Sequence, residues 1–183
     1  RGLIVIDGNG RPLTVLAGGP TVELAGTGVI NDTAGLTVDG AFSASGGTLT
    51  GAGVFTTGAT STSTITGGVF LTDKQWNNAG TLTMSGASRI TLGGNGVIAT
   101  TLTNQAGGIF NEGSTNTFPI TFGTTSTNKS FVNEGTFNKT ASATALRTID
   151  VRFDNNGTVN VSASTALGDR ITAPGRQCDR CQG

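Results

Sequence analysis

A large apolar residue, then Asn, Gly and Thr, then a second apolar residue: this block returns along the chain and constrains its fold more than any other feature. It stands as Trp76-Asn77-Asn78-Ala79-Gly80-Thr81-Leu82, as Phe131-Val132-Asn133-Glu134-Gly135-Thr136-Phe137-Asn138 and as Phe153-Asp154-Asn155-Asn156-Gly157-Thr158-Val159-Asn160. A degraded copy runs from Leu102 through Asn104 and Gly107-Gly108 to Phe110-Asn111. A second block, Gly-x-Gly-Val-Ile/Phe, stands at Gly26 to Ile30, Gly51 to Phe55 and Gly94 to Ile98. From Phe131 to Phe153, from Trp76 to Leu102 and from Gly26 to Gly51 the period is roughly 20–26 residues, within the range of solenoid repeats. In a solenoid one unit cannot bury its apolar side chains alone, but stacked units share a continuous core.

Around the blocks, apolar and polar residues alternate over short runs such as Ser63-Thr64-Ile65-Thr66 and Thr81-Leu82-Thr83-Met84. Alternation with period two marks short strands with one buried face. Composition agrees: 33 Thr and 30 Gly stand among Val, Ile, Leu and Phe, while helix formers are scarce. The expected fold is all-β, a parallel β-helix of seven to nine coils. Right-handedness follows from the usual sense of parallel crossovers. At ~4.8 Å per coil the rod measures about 35–40 Å. Asn at the turns is expected to stack and hydrogen-bond from coil to coil. An antiparallel sandwich or barrel also has short strands and many turns. Recurrence of whole blocks, rather than of turns alone, favours the solenoid.

Three regions are expected. Residues 1–23 form an N-terminal strand, a cap or a partial coil. Residues 24–168 form the repeat array. Residues 169–183, with Cys178 and Cys181, form an irregular tail. The chain begins with Arg1, and Leu3-Ile4-Val5-Ile6 is too short for the apolar core of a signal peptide, so a fragment or processed form is expected.

Charge excludes several functions. Eleven basic residues balance eleven acidic ones, which is poor provision for nucleic acid, since phosphate neutralisation needs clustered Lys and Arg. Without a single His, no imidazole can act as base or metal ligand. No apolar run approaches the ~18–20 residues of a membrane span. No metal or cofactor is expected. Asn-x-Ser/Thr triplets at Asn31, Asn128, Asn138, Asn156 and Asn160 arise by chance in so Asn- and Thr-rich a chain.

The blocks from Phe131 to Asn138, Phe153 to Asn160 and Trp76 to Leu82, interleaved with Gly-x-Gly-Val-Ile/Phe, resemble repeats of bacterial surface β-helix proteins. These are the passenger regions of autotransporters and the large haemagglutinin-like adhesins. The resemblance covers residues 24 to 165. It implies export, a secreted or cell-surface location with an outer-membrane-anchored parent chain, and an adhesive or structural role without catalysis. The implied partners are a host or matrix surface, a glycan, or another copy through coil stacking. The Cys-bearing tail departs from the pattern, since such passengers are poor in cysteine.

Several constellations invite a chemical reading. Asp150, Arg152 and Asp154 are the densest charged cluster, and on one strand they would share a face. They are the candidate catalytic set of the enzyme alternative, a polysaccharide lyase or hydrolase; a solvated strand face with local charge pairing is the simpler reading. Glu112 and Glu134 sit beside Asn in the blocks and read as turn residues. Gly51-Ala52-Gly53 and Gly93-Gly94-Asn95-Gly96 lack the helix that a phosphate cradle needs, and read as corner turns. Cys178 and Cys181 lack a second ligand pair for zinc.

Four Thr-x-Thr triplets suggest a further alternative. Thr48 and Thr50, Thr64 and Thr66, Thr81 and Thr83, and Thr101 and Thr103 each flank one inward apolar residue. Stacked on one flat face, these eight hydroxyls would resemble the ice-binding face of solenoid antifreeze proteins. Their spacings of 16, 17 and 20 residues are unequal and disagree with the 22–26 residues between the blocks, and Thr is in any case a common outward strand residue. Trp76, Phe131 and Phe153 share one position in the block and are expected to stack in the core.

Overall fold

The alternation becomes strand after strand in the computed structural model, which describes residues 3–6, 11–96, 98–140, 147–162 and 167–168. The regular structure among them is all β, and every strand pairing is parallel. The fold is a parallel β-helix. Its strands line up on three faces.

The first face stacks Leu13–Val15, Leu36–Val38, Val54–Thr57, Gln75–Asn78, Thr100–Asn104, Lys129–Asn133 and Arg152–Asn155. Their register places Leu13, Leu36, Phe55, Trp76, Leu102, Phe131 and Phe153 in one column. Seven strands make six steps, so the helix has about six turns, slightly fewer than expected. The steps are uneven rather than constant: Leu36 to Phe55 is the shortest and Leu102 to Phe131 the longest.

The second face stacks Val22–Leu24, residues 41–44, residues 62–65, Thr81–Met84, Ile109–Glu112, Thr136–Lys139 and Thr158–Val161. The third stacks Leu3–Ile6, Val29–Asp32, residues 46–50, residues 68–72, Arg89–Gly93 and Ile120–Phe122, and ends with Ile149 bridged to Ile120. The strands Ala41–Thr50 and Thr62–Thr72 run through the corner and join these two faces. Gly47 makes that corner possible. Its φ of +101° suits glycine, and a Cβ there would lie 2.6 Å from Leu24 Cδ1.

One continuous core fills the interior. Phe42, Phe55 and Trp76 pack with ring centroids 5.0–5.6 Å apart. Phe110, Phe131, Phe137 and Phe153 form a second aromatic group at 5.0–5.8 Å. Trp76, Phe131 and Phe153 are thus core residues, as their shared position predicts.

The recurring block now has a physical reason. Its large apolar residue points inward from the first face. Two positions on, Asn78, Asn104, Asn133 and Asn155 also point inward and stack in register. Asn78 Nδ2 donates to Asn104 Oδ1 at 2.9 Å, Asn104 Nδ2 to Asn133 Oδ1 at 2.8 Å, and Asn133 Nδ2 to Asn155 Oδ1 at 2.7 Å. The chain of donors begins with the Trp76 indole N–H on Thr57 Oγ1, whose hydroxyl donates to Asn78 Oδ1. The turn then tightens at Gly80, Gly108, Gly135 and Gly157, where a Cβ would strike the turn beneath. The expected Asn stacking therefore exists. A second ladder runs outside on the second face, where Asn160 donates to Asn138 and Asn138 to Asn111, both at 2.9 Å.

Coil pairing also begins before residue 24, since Leu3–Ile6 and Leu13–Val15 already pair with the next coil. Cys178, Cys181 and the expected tail at 169–183 lie outside the described residues.

Candidate functional site

The acidic cluster divides at a corner. Ile149 bridges to Ile120 on the third face, whereas Arg152 pairs with Ser130 and Asp154 with Val132 on the first. Ile149, Val151 and Phe153 stay buried throughout, so the alternation continues while the backbone changes face. Arg152 and Asp154 form an ion pair at 2.5 Å, with the arginine side chain 65% exposed. Asp150 instead accepts a hydrogen bond from Thr121 Oγ1 at 3.4 Å. The three residues do not line one strand face as their spacing suggests.

Charge that matters to the fold lies inside. Asp32 and Lys74 form a fully buried pair at 2.6 Å. The ammonium also donates to the carbonyl oxygens of Gly53 at 2.8 Å and Asp32 at 3.2 Å. The other Asp32 carboxylate oxygen accepts the Gly35 N–H at 2.6 Å. One lysine thereby joins three successive coils with all three of its donors used. Burial pushes Lys74 below its ordinary pKa of 10.5, against the opposing pull of its hydrogen bond and charge pairing with Asp32.

Glu112 corrects the turn reading. It is an inward strand residue, wholly buried and paired with Lys139 at 2.6 Å. The two are register partners on adjacent coils, in the column that Ala44, Ile65 and Met84 occupy below. Glu112 Oε1 also accepts the Ser114 N–H at 2.7 Å. Glu134, by contrast, is an exposed turn residue.

The four Thr triplets fall on three faces. Thr48 and Thr50 belong to the third, beside Phe70 and Thr72. Thr64 stacks on Thr83, and Thr81 on Thr62, on the second, while Thr66 lies at the corner past the last paired residue. Thr101 and Thr103 belong to the first, beside Gln75 and Asn77. These eight hydroxyls do not make one flat ladder.

The third face has a feature that the reading of motifs missed. Its central outward column runs Val29, Thr48, Phe70, Thr91, Thr121, and Asp150 reaches Thr121 from the next coil. Phe70 is 43% exposed amid these polar residues, whereas Thr91 beside it is only 5% exposed. Arg89 pairs with Gly68, two positions before Phe70. The Arg89 Nε is buried without a hydrogen-bond partner. The signal was present in Val69-Phe70-Leu71: in a strand of period two, three successive apolar residues force the middle one outward.

Two longer steps border this part of the face. The connections 85–88 and 113–118 stack on each other on one side, with Thr115 N–H and hydroxyl both on Gly86 O and Ser114 Oγ on Ser88 O. On the other side, Asn128 Nδ2 ties the connection 123–128 to Gly96 O at 2.6 Å. Among the described residues no group of three or more acidic or Cys side chains could hold a metal, and no helix is long and apolar enough to cross a membrane. No protein-family model, curated protein or solved structure matches the chain.

Proposed function

We propose that this chain is the rod of an exported, cell-surface or secreted protein with an adhesive or structural role and no catalytic activity. The observation that carries this reading is the use made of the polar side chains. Inward amides and ion pairs lock coil to coil, and outward Thr and Asn repeat on the faces, while Asp150 stands apart from Arg152 and Asp154. A glycoside hydrolase would need two carboxyl groups facing one bond. A stiff stack instead presents its faces and connections at a distance from the anchoring point, and affinity comes from repeated contacts along a rigid surface whose ordering is already complete.

The test has two arms. Purified protein is applied to immobilised matrix proteins, glycans and whole cells, and separately incubated with a broad set of polysaccharides. Retention on at least one surface without release of reducing ends or unsaturated products supports the adhesive rod. Product release abolished by Asp150→Ala would replace it with the enzyme. Retention on none would reduce the chain to a spacer.

A further inference from the structure

We propose that the third face carries a subsite for a glycan chain bearing uronic acids, formed by Phe70, the open notch over Gly68 and the guanidinium of Arg89. It rests on the adhesive reading above and assigns that reading a ligand class.

Three independent observations meet at this place. Phe70 points out of a strand between Thr48 and Thr91 and leaves 43% of its surface to water. A single exposed apolar residue is ordinary on any surface, so its neighbours must decide. Gly68, on the same strand and the same side, has no atom within 4 Å of where a Cβ would stand, and its φ is not left-handed. The strand thus forgoes a side chain that both space and backbone permit, which leaves a notch beside the Phe70 ring. Arg89 stands next to Gly68 on the following coil and is in none of the described ion pairs. Its Nε is buried without a partner, and the side chain as a whole is only half-buried, so a ligand meets the terminal amino groups of the guanidinium.

The chemistry that satisfies all three is a pyranose carrying a carboxylate. The C–H face of the ring stacks on an aromatic, as apolar matter does on Phe. The carboxylate takes the fork of an arginine in a bidentate, charge-assisted pair. Arg89 and Phe70 are diagonal neighbours on adjacent strands, roughly 7–8 Å apart at their Cα atoms, about the span of one sugar ring with its substituent. Asp150 lies two coils beyond Arg89 and two residues along the strand, roughly 12 Å away, where it accepts sugar hydroxyls without opposing the carboxylate. Thr48 adds an uncharged hydroxyl in the same column. Nucleic acid would require several clustered cations, and among the described residues the outward positions of this face's paired strands offer one, Arg89.

The test uses the full chain and its Gly68→Val, Phe70→Ala and Arg89→Gln variants. Binding of a galacturonic acid hexamer and of neutral cellohexaose is measured by calorimetry at two salt concentrations. Gly68→Val fills the notch with a strand-forming side chain and removes no contact, so an unchanged circular dichroism spectrum and melting temperature accompany it. Expected are saturable binding of the acidic hexamer, loss of about tenfold or more in each variant, weakening by salt in the wild type but not in Arg89→Gln, and a weaker response to cellohexaose. No saturable binding of the acidic hexamer overturns the proposal, as does unaltered binding in Gly68→Val and Phe70→Ala. Equal binding of cellohexaose overturns it too. Wild-type behaviour in the two assays separates the two readings. Surface retention of the wild type with no uronate binding removes the subsite and leaves the adhesive rod standing, whereas absence of wild-type retention removes the rod's adhesive role while the calorimetry still decides the subsite.

Discussion

Replacing Lys74 with Met isolates the contribution of one interior charge. Methionine occupies most of the volume of the lysine stem, so little cavity forms. What remains is a buried Asp32 carboxylate holding only the Gly35 N–H, and two carbonyl oxygens, Gly53 O and Asp32 O, that have lost a donor. Removing one member of a buried pair costs about 3–5 kcal/mol. Lys74 is itself penalised by burial, and the variant escapes that penalty, so the lower end, about 3 kcal/mol, is expected. Urea unfolding followed by tryptophan emission measures it. Trp76 is the single tryptophan of the chain, close in sequence to Lys74 and packed on Phe42 and Phe55. Adding Asp32→Asn removes the stranded charge and keeps an acceptor for Gly35, so the double variant is expected to regain more than half the loss. The pH dependence has a definite sign. Between its lowered folded value and 10.5, Lys74 binds more protons unfolded than folded, so its part of the stability rises with pH across that window. The rise is absent from Lys74→Met. A single variant within about 0.5 kcal/mol of wild type, or a double variant no better than the single, would refute the coil-joining role.

The two asparagine ladders should differ in worth. Asn104→Ala strands its buried neighbours Asn78 and Asn133 and is expected to cost about 2–4 kcal/mol in urea unfolding, whereas Asn138→Ala on the outer ladder costs under about 1 kcal/mol; equal losses would contradict the distinction. Arg152→Ala removes an exposed pair and should shift stability by no more than about 0.5 kcal/mol and leave surface retention unchanged; a loss of retention would bring the first face into binding. Nanolitre osmometry should find no thermal hysteresis, because the four Thr triplets are spread over three faces; hysteresis that grows with protein concentration would sink that inference.

The parallel coils were legible because inward and outward positions alternate in the sequence and the block repeats with its Asn and Gly intact. Each element of the block answers to one stacking requirement: the aromatic fills the column, Asn feeds the amide ladder, and Gly lets one turn lie on another. The division of Asp150 from Arg152 was not legible. Alternation carries on across the corner at Val151, so nothing in the residue types marks a change of face. Asp32 and Lys74 were equally silent, being far apart in the chain with no block to align them.

Glu112 shows what kind of reading could have gone further. Taken alone, an acid after Phe110-Asn111 looks like turn punctuation. Laid over the next block, it falls where Lys139 follows Phe137-Asn138, and opposite charges at one position of adjacent repeats are partners about 4.8 Å apart. The same holds for the inward asparagines. In a globular core a polar side chain must find its partner somewhere in three dimensions, and sequence is a poor guide to where. In a stacked coil the partner is the residue one repeat away. A polar residue at an inward position is therefore evidence against burial only when the neighbouring coils place something apolar there; where they place its complement, as Glu112 and Lys139 do, it is evidence for burial.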